Sequence, residues 1–271
     1  MSMATIPVWA IFVATIIVVM MATEAGFRLG RHIRQTPEDE KESAVSAIAA
    51  AILTLTGFML AFTFGISSDR LQDRKTLVRD EANAITTAWL RSDFLPELDR
   101  TEAKGLLRKY VDDRLEAVQR HDLKHVQKGL DESRRIQHQL WDTAVKNARK
   151  DMNSDVAALY IDSLNELVNI YNLRVAIALH PQIPGILWLV LYALVILGMM
   201  AIGFQTAITG SARGSHAVSL LALSFSLVIG LIAVLDFPQN DIIEVPQGPL
   251  LDLRAVMAEG GETGKDVGHS P

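Results

Sequence analysis

Four apolar stretches, set as two pairs around a long charged middle, constrain this chain more than any other feature. Residues 6–22, 44–66, 186–206 and 217–237 each hold about 17–23 residues almost without charge. A bilayer core about 30 Å thick is crossed by roughly 20 apolar helical residues at 1.5 Å rise per residue. The expected fold class is therefore all-α: a four-span integral membrane protein whose first partner is the lipid bilayer. The first five residues carry no lysine or arginine, and no small-x-small cleavage site follows in good position. The first stretch thus reads as a retained span rather than a secretory signal.

Composition narrows the function classes. A net charge of −5 over 271 residues argues against a nucleic-acid partner, which needs a concentrated basic face. With no cysteine, disulfides, thiolate nucleophiles and zinc–thiolate sites are excluded.

The expected organisation is spans one and two over 1–66, a helical extramembrane domain over 67–183, and spans three and four over 184–238. An extended segment and disordered tail are expected over 239–271. Nothing breaks the helix at the far end of span two: Ser67, Ser68, Asp69 and Arg70 are polar but helix-compatible. Apolar positions continue at Leu71, Val78, Ala82, Ile85 and Trp89 in helical steps. One unbroken helix over 44–94, about 75 Å long, is the simplest reading, with Pro96 ending it. Further helical stripes run through Leu107, Tyr110, Val111, Leu115 and Val118, through Ile136, Leu140, Trp141, Ala144 and Ala148, and through Val156, Leu159, Tyr160, Leu164, Leu167, Tyr171 and Val175. Asn153 and Ser154 are candidate caps for the last of these. The expected product is an antiparallel bundle on one side of the membrane.

The short loops carry Arg28, Arg31, Arg34, Lys41 and Arg213, while the N-terminal tail has no basic residue. The positive-inside rule makes those loops cytoplasmic and the bundle external, in a bacterial inner (plasma) membrane. Arg70, Arg74, Lys75 and Arg79 give a competing signal, which counts weakly because long domains count weakly.

The run Gly57, Phe58, Met59, Leu60, Ala61, Phe62, Thr63, Phe64 and Gly65 is followed by Asp73-Arg74, Glu81-Ala82-Asn83-Ala84-Ile85, Leu95-Pro96 and Tyr110-Val111. With Ser163 to Glu166 and with Leu235, Asp236, Phe237, Pro238 and Gln239, it resembles the DUF4239 family of bestrophin-like membrane proteins. The resemblance covers roughly residues 40–255. It implies a distant likeness to bestrophins, oligomeric anion channels with four spans per subunit and an axial pore lined by the second span. Phe58, Phe62 and Phe64 are what this chain offers where bestrophins have an apolar pore neck. No counterpart to the calcium clasp is found, so calcium gating is not implied.

Two stripes of span two are distinguishable. Ala50, Thr54, Gly57, Ala61 and Gly65 are small residues that let a neighbouring helix approach closely, so packing is their expected role. Thr56, Leu60, Thr63 and Ser67 mix hydroxyls with an apolar constriction; with Phe64 they are candidates for a pore lining. Hydroxyls bonded to their own backbone are the plainer account of that stripe. Arg70 and Arg74, one turn apart, are candidates for a pore mouth that gathers inorganic anions, against snorkelling or ion pairing.

No ionisable residue lies deep in a span, which weakens proton-coupled transport and intramembrane hydrolysis. His121 and His125 lack a third ligand, and the glycine-containing loop 210–215 lacks a P-loop's lysine and spacing. The acidic run at 38–40 reads as a solvated helix start rather than a cation site. Trp9 and Trp188 read as interfacial anchors. The expectation is an oligomeric, anion-preferring channel with the second span lining an axial pore, not an enzyme, with no catalytic residue, metal or cofactor; the alternative is a non-conducting sensor or scaffold whose bundle binds a partner.

Overall fold

The computed structural model of the chain describes residues 8–33, 39–119, 123–179, 183–209, 216–236 and 245–262. These form α1 (Val8–Ile33), α2 (Asp39–Arg91), a 3-10 turn (Ser92–Phe94), α3 (Glu97–Gln119), α4 (Leu123–Ala148), α5 (Asp155–Leu179), α6 (Gly185–Ile208), α7 (His216–Asp236) and α8 (Gly248–Glu262). Among the described residues there is no strand. Four segments are long and apolar enough to cross a membrane: Trp9–Ile33, Ala44–Phe94, Gly185–Ile208 and Val218–Asp236.

The 53-residue helix α2 follows from its sequence: residues 39–91 contain no proline. At the polar run, Ser67 Oγ donates to Thr63 O at 3.1 Å, so its hydroxyl is satisfied inside the helix. The end is set by Pro96, whose ring pushes the preceding residue out of the helical region. Leu95 is extended (φ −80°, ψ 153°), and its N–H closes the 3-10 turn on Ser92 O at 3.0 Å. At the start of α5, Ser154 Oγ accepts the Ala157 N–H at 3.2 Å, as a capping residue should.

The chain divides into two compact units. The first comprises Met1–Leu71 with Pro181–Glu244, the second Gln72–His180 with Val245–Pro271. In the first unit α1 and α6 touch at backbone distance. A Cβ placed on Gly26 would lie 2.0 Å from Met200 O, one on Gly203 2.0 Å from Thr23 O, and one on Gly30 2.8 Å from Phe204 O. Such contact requires glycine, and it gives a membrane unit the close packing that lipid, as apolar as leucine, does not drive by itself. Tyr192 of α6 and Thr15 of α1 share a 2.8 Å hydrogen bond in the same unit. Trp188 is not an interfacial anchor: at 5% exposure it is packed in this core beside Tyr192, at a ring separation of 6.3 Å. Trp9 is exposed at 69%.

The second unit is an antiparallel bundle of the later part of α2 with α3, α4 and α5. Asp99 meets Lys146 and Asn147, and Lys109 meets Glu132, which fixes α3 against α4. Its core includes Ile85, Leu107, Ile136, Leu140, Tyr160 and Leu167, each large side chain contributing about 1.5–3 kcal/mol by burial from water.

The stretch expected to run extended to Leu253 is instead helical from Gly248. Leu250, Leu253 and Met257, spaced by three and four, bury themselves in the bundle core. Arg108 of α3 donates to Met257 O at 2.7 Å, and Arg254 pairs with Asp112 at 2.7 Å. Pro246 and Pro249 suggest extension in isolation, but proline is tolerated in a first helical turn. Residues 263–271, where the tail is expected, lie outside the described residues.

Candidate functional site

The faces of α2 decide what the first unit presents. Thr56, Leu60, Thr63 and Ser67 are buried at 0, 5, 0 and 0% exposure, facing the unit's own interior. Thr56 Oγ1 donates to Ile52 O and Thr63 Oγ1 to Met59 O, each at 2.7 Å, and Thr56 Oγ1 also lies 3.4 Å from Leu194 O of α6. With their protons spent on carbonyls four residues back, these hydroxyls enter an apolar core without an unmet donor. The stripe that suggested a lumen therefore packs inward.

The small-residue stripe does the reverse. Ala50, Thr54, Gly57 and Ala61 are exposed and Gly65 is half-buried. A Cβ added at Gly57 or Gly65 would meet nothing within 4 Å. Flanking this stripe, Phe58 and Phe62 are exposed at 66% and 53% on one side and Phe64 at 38% on the other. Of the four candidate spans the apolar window of α2 is the least buried, 17% against 28%, 28% and 44%. Small residues tolerate a close neighbour; they do not specify where it comes from.

Arg70 and Arg74 are half-buried, Arg74 Nε is fully shielded, and neither residue lacks a partner. The next residue round the helix from Arg70, Asp69, is exposed and falls on the same side as Gly65. The first unit also has an apolar cleft of about 240 Å³ lined by Gly26, Leu29, Val45, Ile48, Met200 and Phe204.

A second constellation, unmarked in the sequence, lies inside the second unit. Glu81 is fully buried; Tyr110 donates to its Oε1 at 2.9 Å, Arg114 Nε lies 3.1 Å away, and Arg174 donates to Oε2. Gln137 Nε2 reaches the Tyr110 hydroxyl at 3.5 Å. Burial pulls the Arg174 guanidinium down to about 10 and pushes the Tyr110 phenol up to about 12. With both carboxylate oxygens engaged by guanidiniums and a phenol, and the phenol reached by Gln137, the arrangement joins α2, α3, α4 and α5. It was illegible because its members are up to 93 residues apart.

Among the described residues no group of three metal-ligating side chains comes together. His121, the side chain of His125, the acidic side chains at 38–40 and the loop 210–215 lie outside the described residues.

A family model described as Bestrophin-like domain matches residues 8–250. Three solved structures illustrate the fold likeness. A point mutant of a bacterial bestrophin homologue from Klebsiella pneumoniae aligns with TM-score 0.60 and 14% identity, over 92% of this chain and 97% of that one. A mutant of a structure described as a membrane protein aligns with TM-score 0.57 and 14% identity, over 96% and 97%. Another of the same description gives TM-score 0.57 and 14% identity, over 97% and 99%. No curated protein sequence matches the chain. The family match and the four long apolar helices make this an all-α integral membrane protein.

Proposed function

We propose, since this chain belongs to the bestrophin-like family, that it assembles as a symmetric homo-oligomer and conducts inorganic ions along the open face of α2. The observation that carries the reading is the unpartnered face itself, with Phe58 and Phe62 projecting from it and nothing beyond Gly57 or Gly65. In hydrocarbon, such a face calls for copies of itself around an axis, enclosing either packed side chains or a water column. Phe58 and Phe62, one turn apart, form the apolar constriction that gates by dewetting, with Thr54, Ala61 and Gly65 lining the same path. The proposed lining thus moves from Thr56, Leu60, Thr63 and Ser67 to their exposed neighbours, with Phe64 at the margin. The chain is a passive conductor in this reading, not an enzyme. The anion preference implied by the family rests here on Arg70 and Arg74, which do not face the open stripe; conduction is proposed without it. The DUF4239 placement, the bacterial inner membrane and the external bundle belong to the same proposal, on the motifs and loop charges given above.

Full-length protein in planar bilayers tests the reading. Ohmic, salt-dependent current that rises in Phe58→Ala and Phe62→Ala is expected. Silence at every voltage, pH and salt tested would instead favour a scaffold. That second reading has one specific support: the bundle leaves Leu98, Met152 and Phe94 exposed at 86, 81 and 52%, apolar surface suited to a protein partner or a neighbouring copy.

A further inference from the structure

The open stripe of α2 also carries a sign of charge. Thr54, Phe58, Ala61, Gly65 and Asp69 succeed one another at steps of four, three, four and four, so they share one face of the helix. Asp69 lies about 6 Å along the axis from Gly65 and about 10 Å from Phe62. Among the described side chains of α2 in the first unit, it is the one exposed ionisable group. Arg70, next in sequence, is turned about 100° away and half-buried.

From this placement we infer that Asp69 sets charge selectivity and that the pathway admits cations in preference to anions. The inference rests on the conduction reading above. Around a symmetry axis each copy contributes one carboxylate, and the ring becomes the first charge an ion meets past the aromatic constriction. The ring lies about 10 Å past Phe62, close to the roughly 8 Å over which a charge acts at physiological salt, so it biases the ions that gather at the exit of the constriction. Rings of aspartate or glutamate concentrate cations at a pore. The chemistry on the other side of the constriction agrees. Thr54 Oγ1 donates its proton to Ala50 O at 2.8 Å, so what it shows to the stripe is oxygen lone pairs, which suit a cation. The inner stripe of hydroxyls and the two arginines, which suggested anions, do not share this face.

The test is the reversal potential of the full-length protein in planar bilayers under a potassium chloride gradient. The native channel should reverse towards the potassium equilibrium potential. Asp69→Asn should lower the potassium-to-chloride permeability ratio by about three- to tenfold, since a ring of this kind is worth one to a few kT. Asp69→Lys should carry it past unity towards chloride. Should Asp69→Lys fail to assemble, the near-isosteric Asp69→Asn decides alone. A native channel that conducts but prefers chloride, or a ratio unmoved by Asp69→Asn, overturns the inference and leaves conduction standing. A native protein with no current overturns the conduction reading itself, and this inference with it.

Discussion

The two units hold together by opposite means. In the first, α1 and α6 meet because side chains are missing: Gly26 faces Met200 O and Gly203 faces Thr23 O with no room for a methyl group. In the second, four helices meet around long side chains, with Glu81 taken by Arg114, Arg174 and Tyr110. Where surroundings are as apolar as the helices, fit between backbones is what distinguishes one pairing from another. Where an apolar core is already assured by water, a paired charge can fix which helices meet, at a cost in desolvation. The glycines of α2 sharpen the contrast, because Gly57 and Gly65 belong to the same unit as Gly203, yet a Cβ on either would meet none of the described atoms within 4 Å. One residue type therefore serves a finished contact and an unfinished one.

The most severe way to break this contrast is Gly203→Leu. Its Cβ alone would sit 2.0 Å from a backbone oxygen that no rotamer can move, and the expected outcome in size-exclusion chromatography is loss of monodisperse protein. Next is Glu81→Ala, which leaves two guanidiniums buried without a counter-ion and should cost about 3–5 kcal/mol. It is read as earlier thermal unfolding and faster proteolysis of the bundle. Replacing Glu81 and Arg174 together by apolar residues should recover part of that loss. Gly57→Leu is predicted to change subunit stability by less than about 1 kcal/mol. It should nevertheless disturb assembly or conduction, because its new side chain projects only into the open stripe. A collapse of the subunit on Gly57→Leu would erase the distinction between the two sets of glycines.

The smallest effect concerns acid. Hydrogen bonds from Lys146 and then Asn147 hold the Asp99 carboxyl below its usual range. Those from Arg135 and Lys109 bring Glu132 from an ordinary 4.5 to about 2. Both folded values are depressed, so the stabilisation they confer is complete above the ordinary carboxylate range and is lost as pH falls towards 2. These pairs are near solvent, so the slope should be shallow, weaker in high salt, and flatter still in Glu132→Gln. Thermal melts of the purified protein between pH 5 and about 2 would measure it.

The spans were readable because length and absence of charge are properties of a single segment, and α2 was readable as one helix because nothing in it forbids one. Orientation about the helix axis was not. Thr56, Thr63 and Ser67 look polar in sequence, but each spends its proton on a carbonyl one turn back and is then fit for an apolar interior. Gly57 and Gly65 look like contact points, although a missing side chain marks only the possibility of contact. Trp188 has the composition of an anchor and the position of a core residue. Glu81 was beyond reach altogether, since its partners are supplied by α3 and α5 and no local pattern relates them. The helix α8 was missed for a similar reason: three apolar residues amid prolines and glycines gain a helix only once α3 is there to receive them.

That last helix bears on how the protein is made. The bundle draws its closing pieces, Leu250, Leu253 and Met257, from sequence that leaves the ribosome after both later spans have been synthesised. At about 5–20 residues per second, the roughly 80 residues between the end of α5 and Met257 take some 4–16 s. During that interval the groove on α3 has no cover of its own. Maturation of the second unit must therefore wait on translation of α6 and α7 of the first, and a chain stalled before α8 would be marked by an open seam that a chaperone or protease can recognise.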